Sequence, residues 1–212
     1  MTTAHARQEW LDRCALALKA HFAATPDAPD LPTEVRVSWG FPSRKATGAK
    51  KAIGICFDRE ATGDKHAEVF IHPILGDWQD REMHIAATIA HELCHAALGT
   101  AIGHKAPFKR AVYAIGLDGK PTATIPGEAF KRALQGPLAA LGPFPTTGLD
   151  PSKAPGKKQS TRLIKAACPL DGYTIRLTRK WIDAAGCPDC PICGTTLIAD
   201  AADEPQPENG DN

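Results

Sequence analysis

No apolar run in this 212-residue chain approaches the roughly 20 residues that a membrane span needs. The opening Met1-Thr2-Thr3-Ala4-His5-Ala6-Arg7 lacks the basic-then-apolar pattern of a secretory signal. Charge of one sign is also missing. The 25 Lys and Arg residues face 24 Asp and Glu, a formal net charge of +1, so any attraction to nucleic acid or membrane has to come from local patches. No internal repeat is apparent. The seven cysteines are an odd number in a chain without an export signal, which argues against a disulfide framework. These absences predict a cytoplasmic protein with no membrane segment. A hydrophobic fraction of 43% and a charged fraction of 23% are ordinary for a globular chain of this length, enough for one catalytic domain and a small appended module.

The pattern along the chain predicts an α+β fold. Leu11, Cys14, Ala15, Leu18 and Phe22 recur at helical spacing in a helix expected over Gln8 to Phe22. Thr25-Pro26-Asp27-Ala28-Pro29-Asp30 breaks it. Three short strands follow, over Glu34 to Trp39, Ala52 to Phe57 and Glu68 to Ile71, with Gly40 to Lys51 a polar, basic connection. Asp77 to Leu98 is a long helix with Ile85, Ile89, Leu93 and Leu98 as its apolar stripe, ended by Gly99 and Gly103. Shorter helices are expected over Pro107 to Ile115 and Gly127 to Leu141. The first domain is thus assigned to residues 1–142. Residues 143–160, rich in Pro, Gly and Lys, are read as a linker. Residues 161–199 form a small β module organised by cysteines, and residues 200–212 an acidic disordered tail.

Within the long helix lies His91-Glu92-Leu93-Cys94-His95. Residues four apart share a helical face about one turn apart, so two imidazoles can reach one zinc ion. Glu92 adjoins the first of them and can accept a proton from an attacking water, the chemistry that peptide hydrolysis requires. Cys94 points away from that face and is expected to pack in the core, as are Cys14 and Cys56. A third ligand is needed. The candidates are His104, favoured because the Gly99 to Gly103 turn can fold it back, and Glu128; His84 lies about 10 Å along the helix axis, out of reach of the same ion. The metzincin spacing is excluded, since its glycine and third histidine would fall on Leu98 and Ala101.

His91-Glu92-Leu93-Cys94-His95-Ala96, followed by Gly103-His104 and Phe108, resembles the SprT-like zinc metallopeptidases. The resemblance extends upstream to Ser38-Trp39-Gly40-Phe41-Pro42 and Ile53-Gly54-Ile55-Cys56, covering roughly residues 35–115 and again the C-terminal module. It implies a minimal zincin-like domain with His91, His95 and His104 on a catalytic zinc, Glu92 as general base, and Phe108 packing behind them. Lys105 departs from the glycine common at that place.

Members of that family commonly end in a zinc ribbon. Here Cys190-Pro191-Ile192-Cys193-Gly194 has the form of a zinc knuckle, and Cys168-Pro169-Leu170-Asp171-Gly172 would be its partner, with Asp171 where a cysteine is expected. The fourth ligand of a structural zinc is then either Cys187, joining Cys168, Cys190 and Cys193, or Asp171. The all-thiolate set is preferred because soft ligands suit zinc. Loss of the metal, with folding by packing alone, is a third reading. Lys153, Lys157, Lys158, Arg162, Lys165, Arg176, Arg179 and Lys180 surround Tyr173 and Trp181 here. Cations for phosphates and aromatics for bases make this a candidate nucleic-acid surface, Lys157, Lys158, Arg162, Arg176, Arg179 and Lys180 foremost. The expected function is therefore zinc-dependent hydrolysis of protein or peptide substrates, with DNA-associated proteins among them. The alternatives are a nucleic-acid-binding adaptor on an inactive scaffold, or a metal hydrolase acting on another bond.

Overall fold

The computed structural model describes residues 3–41, 52–150 and 163–200. The chain divides into two compact units, Met1–Ala154 and Pro155–Asn212. Five helices and small sheets make a mixed architecture in keeping with an α+β class. Among the described residues no helix is long and apolar enough to cross a membrane.

The first unit begins with α1, Thr3–Ala24, several residues longer at its start than the periodicity predicts. Its stripe of Trp10, Leu11, Cys14, Ala15, Leu18 and Phe22 is buried. Strands β1 (Val35–Trp39), β2 (Gly54–Phe57) and β3 (Ala67–Ile71) form a sheet in the order β1-β3-β2. β3 is its centre, parallel to β1 and antiparallel to β2, with Val69 opposite both Val37 and Cys56. Alternation along β3 buries Ala67, Val69 and Ile71. Helix α2, Arg81–Leu98, packs on this sheet with Ile85, Ile89 and Leu93 fully buried. Its start is a correction to the Asp77 boundary. Pro73–Asp77 is instead a tight 3₁₀ turn, and Asp80 adopts a left-handed conformation (φ 50°) just before the helix.

A second 3₁₀ turn, Thr100–Ile102, leads into α3, Ala106–Ala114. A hairpin of β4 (Leu117–Lys120) and β5 (Ala123–Pro126) follows, unforeseen in the sequence pattern, and then α4, Glu128–Leu141. Residues 143–149, assigned above to a linker, instead strap this unit. Phe144 is buried against Trp10 and Trp39, at ring distances of 5.1 and 4.6 Å. Its N–H donates to Glu82, its carbonyl accepts from Arg81, and Gly148 and Leu149 N–H groups bond Asp77 and Pro73. One large apolar residue among prolines is enough to dock the segment.

The second unit has β6 (Leu163–Ala167) between β7 (Thr174–Thr178) and β8 (Ile198–Ala199), all antiparallel. It also holds a helix, α5 (Arg179–Ala185), where only β structure is expected. Its clustered core is small, comprising Ala166, Cys168, Cys190 and Leu197.

Candidate metal centre

Helix α2 carries His91 and His95 one turn apart, with His95 buried and His91 partly so. Gly103, at φ 55°, takes a conformation open to glycine, and the chain turns back to bring His104 to the same point. The turn is held by Asp58, whose carboxylate accepts from Thr100 N–H at 3.0 and 3.1 Å. The Nε2 atom of His104 stands 3.3 Å from that of His95 and 3.4 Å from that of His91. Three imidazole nitrogens bound tetrahedrally at about 2.0–2.1 Å would be about 3.3–3.4 Å apart. The donor set therefore fits a zinc ion, and one ligand position would remain open in a tetrahedral site.

Phe108, fully buried, touches all three rings. It stacks on His95 (4.1 Å, 24°) and meets His91 and His104 edge-on at 4.9 Å each. Burial, together with the charges of its neighbours, pulls His91 down to about 3 and His95 to about 4, so both lone pairs are available at neutral pH. Glu92 is also buried, which pushes its carboxyl up to about 8 against the opposing effect of a hydrogen bond from Cys56 N–H.

Above these residues lies a cleft of about 300 Å³. Ala52 to Cys56 line one wall, Thr122 to Thr124 the other. β2 is an edge strand, bonded only to β3 among the described residues. A Cβ at position 54 would stand 2.5 Å from Glu92 Oε1, so glycine there makes the room that the carboxylate occupies. Cys56 lines this cleft as well as the core. Glu128 stands apart on α4, ion-paired with Lys131 at 2.8 Å. His84 packs its ring against Trp78 instead. Three contributors had no motif to announce them. These are Asp58, Gly54, which stood in the Ile53-Gly54-Ile55-Cys56 stretch without a role of its own, and Thr124, whose Oγ1 lies 2.9 Å from His91 Nδ1.

In the second unit, ligand atoms of Cys168, Asp171, Cys190 and Cys193 lie within 4.8 Å of one another. This departs from the preference for Cys187. The two knuckles are equivalent, since Leu170 N–H donates to Cys168 Sγ and Ile192 N–H to Cys190 Sγ, both at 3.4 Å. Gly172 N–H then closes on Cys168 O, and Gly194 N–H on Cys190 O, at 3.1 and 2.9 Å. Asp171 thus occupies in the first turn the place of Cys193 in the second. Cys187 precedes the second turn and packs, half-buried, against the small core. Cys168 and Cys193 sulfurs are 3.4 Å apart, and the Cys190 thiol donates to Asp171 Oδ2 at 3.2 Å. The Tyr173 N–H, followed by the Cys193 and Cys190 thiols, holds the Asp171 carboxyl down at about 2.

Of the basic residues, Arg176 is exposed on β7, directly across from Lys165 on β6. Arg179 and Lys180 open α5, with Lys180 Nζ 5.2 Å from the ring centre of the exposed Trp181. Lys153, Lys157, Lys158 and Arg162 lie outside the described residues, as do most of the connection after Gly40 and of the acidic tail. Comparison of the chain with protein-family models, curated proteins and solved structures finds no match.

Proposed function

We propose that the protein is a zinc-dependent endopeptidase of SprT-like type with a zincin-like catalytic domain. The observation that carries this reading is the meeting of three imidazole nitrogens beside a buried glutamate at the base of an open cleft. A zinc ion held by His91, His95 and His104 supplies Lewis-acid polarisation of a carbonyl and acidification of water. Glu92 takes the water proton on a carboxylate oxygen and passes it to the leaving amine nitrogen. Its burial favours the protonated carboxyl between those steps. Among the described residues the outer edge of β2 pairs with no other strand, and its backbone groups beyond the Cys56 N–H could take an extended polypeptide, a mode that accepts many sequences and suits unfolded protein substrates.

The test is hydrolysis of an unfolded protein by the zinc-loaded chain and by Glu92→Gln. The variant is expected to keep its zinc and lose about 10³-fold in rate; undiminished hydrolysis would overturn the mechanism. A second reading is favoured by the facing cations Lys165 and Arg176 and the exposed Trp181. In it the second unit binds nucleic acid and the first is an inactive scaffold. DNA retention by a wild type as inert as Glu92→Gln would favour that reading. If both activities appear, DNA-associated proteins become the natural substrates.

A further inference from the structure

We propose that Thr124 is a positioning residue of the metal centre. Its hydroxyl accepts from His91 Nδ1–H and so holds the tautomer whose Nε2 lone pair faces His95 and His104. This rests on the reading of those three histidines as metal ligands.

An imidazole that gives one nitrogen to a metal carries its proton on the other, and an acceptor there fixes both tautomer and ring orientation. The three histidines differ in how they are held. His95 Nδ1 is buried without a hydrogen-bond partner among the described residues, and its ring is fixed by stacking on Phe108. His104 is carried by the turn that Asp58 anchors at Thr100. His91 lines the cleft and meets Phe108 only edge-on. Its Nδ1 lies 2.9 Å from Thr124 Oγ1. The β-branched threonine on β5 has few rotamers, so the acceptor is held in place by the strand.

A hydroxyl suits this position for a second reason. It both donates and accepts, whereas a carboxylate only accepts. Before metal binding the hydroxyl can donate to Nδ1 while Nε2–H of His91 points at His104 Nε2, 3.4 Å away. Metal entry sends the Nε2 proton to solvent, the ring takes one from solvent at Nδ1, and the hydroxyl turns its O–H away to accept it. The same strand presents Ala123 to the cleft, with Thr122 of the preceding turn beside it, so this wall is tied to His91 through the Thr124 side chain.

The deciding experiment is chelator competition for zinc on the full chain, comparing wild type with Thr124→Val, Thr124→Ser and His91→Ala. Thr124→Val keeps the shape and loses the acceptor. It is expected to weaken one zinc equivalent by about 10–100-fold and leave the other unchanged, while Thr124→Ser restores most of the affinity. Thr124→Val binding as tightly as wild type, while His91→Ala loses an ion, overturns this inference alone. Full zinc retention by His91→Ala overturns the metal-centre reading and this inference with it. Should Thr124→Val fail to fold, nitrogen NMR of the zinc-loaded wild type decides. A His91 Nδ1–H protected from exchange supports the proposal, and an unprotected one overturns it.

Discussion

The histidine cluster and the cysteine–aspartate cluster each bring several lone pairs to one point, but their supports are opposite. Two of the histidines sit on α2, whose Ile85, Ile89 and Leu93 are fully buried in a core spanning helices and sheet. None of the three histidines belongs to that apolar core, whose packing places α2 and with it the imidazoles of His91 and His95. The second unit has a clustered core of Ala166, Cys168, Cys190 and Leu197, in which two of the four belong to the candidate metal-binding group. So small a core offsets little of the entropy of ordering its chain, and a metal cross-link, if that group holds an ion, would add to folding stability. On the proposed function, the difference would separate a metal that serves chemistry on a packed scaffold from one that helps to make its scaffold.

The largest effect should come from removing one ligand at each cluster. His104→Ala is expected to lose one of two zinc equivalents and about 10³-fold or more of hydrolysis, with the thermal transition of the first unit retained. Cys190→Ser should lose the other equivalent and open residues 163–200 to amide exchange. Metal analysis with hydrogen exchange checks both. Unfolding of the first unit by His104→Ala, or an intact second unit in Cys190→Ser, would break the contrast.

A smaller effect distinguishes the ligands within the second cluster. Asp171→Ala should weaken that ion by about 10-fold or more, and Asp171→Cys should tighten it, because a thiolate is the softer partner. Cys187→Ser should change affinity little, since Cys187 lies outside the group of four. Cobalt substitution reads this directly through thiolate charge-transfer bands. Three thiolates are expected in the wild type, and a fourth on Asp171→Cys. A weaker spectrum from Cys187→Ser would restore the all-thiolate set.

How much of this was legible in the sequence followed from how each feature is encoded. α2 was visible because eighteen residues repeat one apolar period, and its His91-Glu92 and His95 spacing carries its own chemistry. His104 was readable through the glycines that turn the chain toward α2. The β4–β5 hairpin was not, because its four-residue strands show no clean alternation of buried and exposed positions. Thr124 went with it. α5 is two turns long with no buried residue, so no apolar stripe announces it. Asp171 appeared as an alternative to Cys187, and composition favoured the thiolate. The equivalence of the two knuckles, a matter of backbone hydrogen bonds, reverses that preference.

The smallest effect is on stability against pH, and it tests whether the first cluster is held by packing. In the metal-free protein His91 and His95 sit at about 3 and 4, against about 6.5 when unfolded. Between those values the unfolded chain binds more protons, so stability falls as pH drops below about 6.5. Glu92 works the other way. Its carboxyl is at about 8 in the fold and about 4.3 in the unfolded chain, so the fold holds the extra proton between them. That contribution is full below the unfolded value and is lost as pH rises through about 8. The thermal midpoint of metal-free protein, taken as the difference from Glu92→Gln, should therefore decline from about pH 4.5 to pH 8. The difference between wild type and His91→Ala should instead decline from about pH 6.5 toward pH 3. Zinc should abolish the alkaline decline, because a nearby dication draws the Glu92 proton away. Flat differences in both variants would mean that the cluster is solvated when metal-free, and that the first site depends on a metal for its order as the second is expected to.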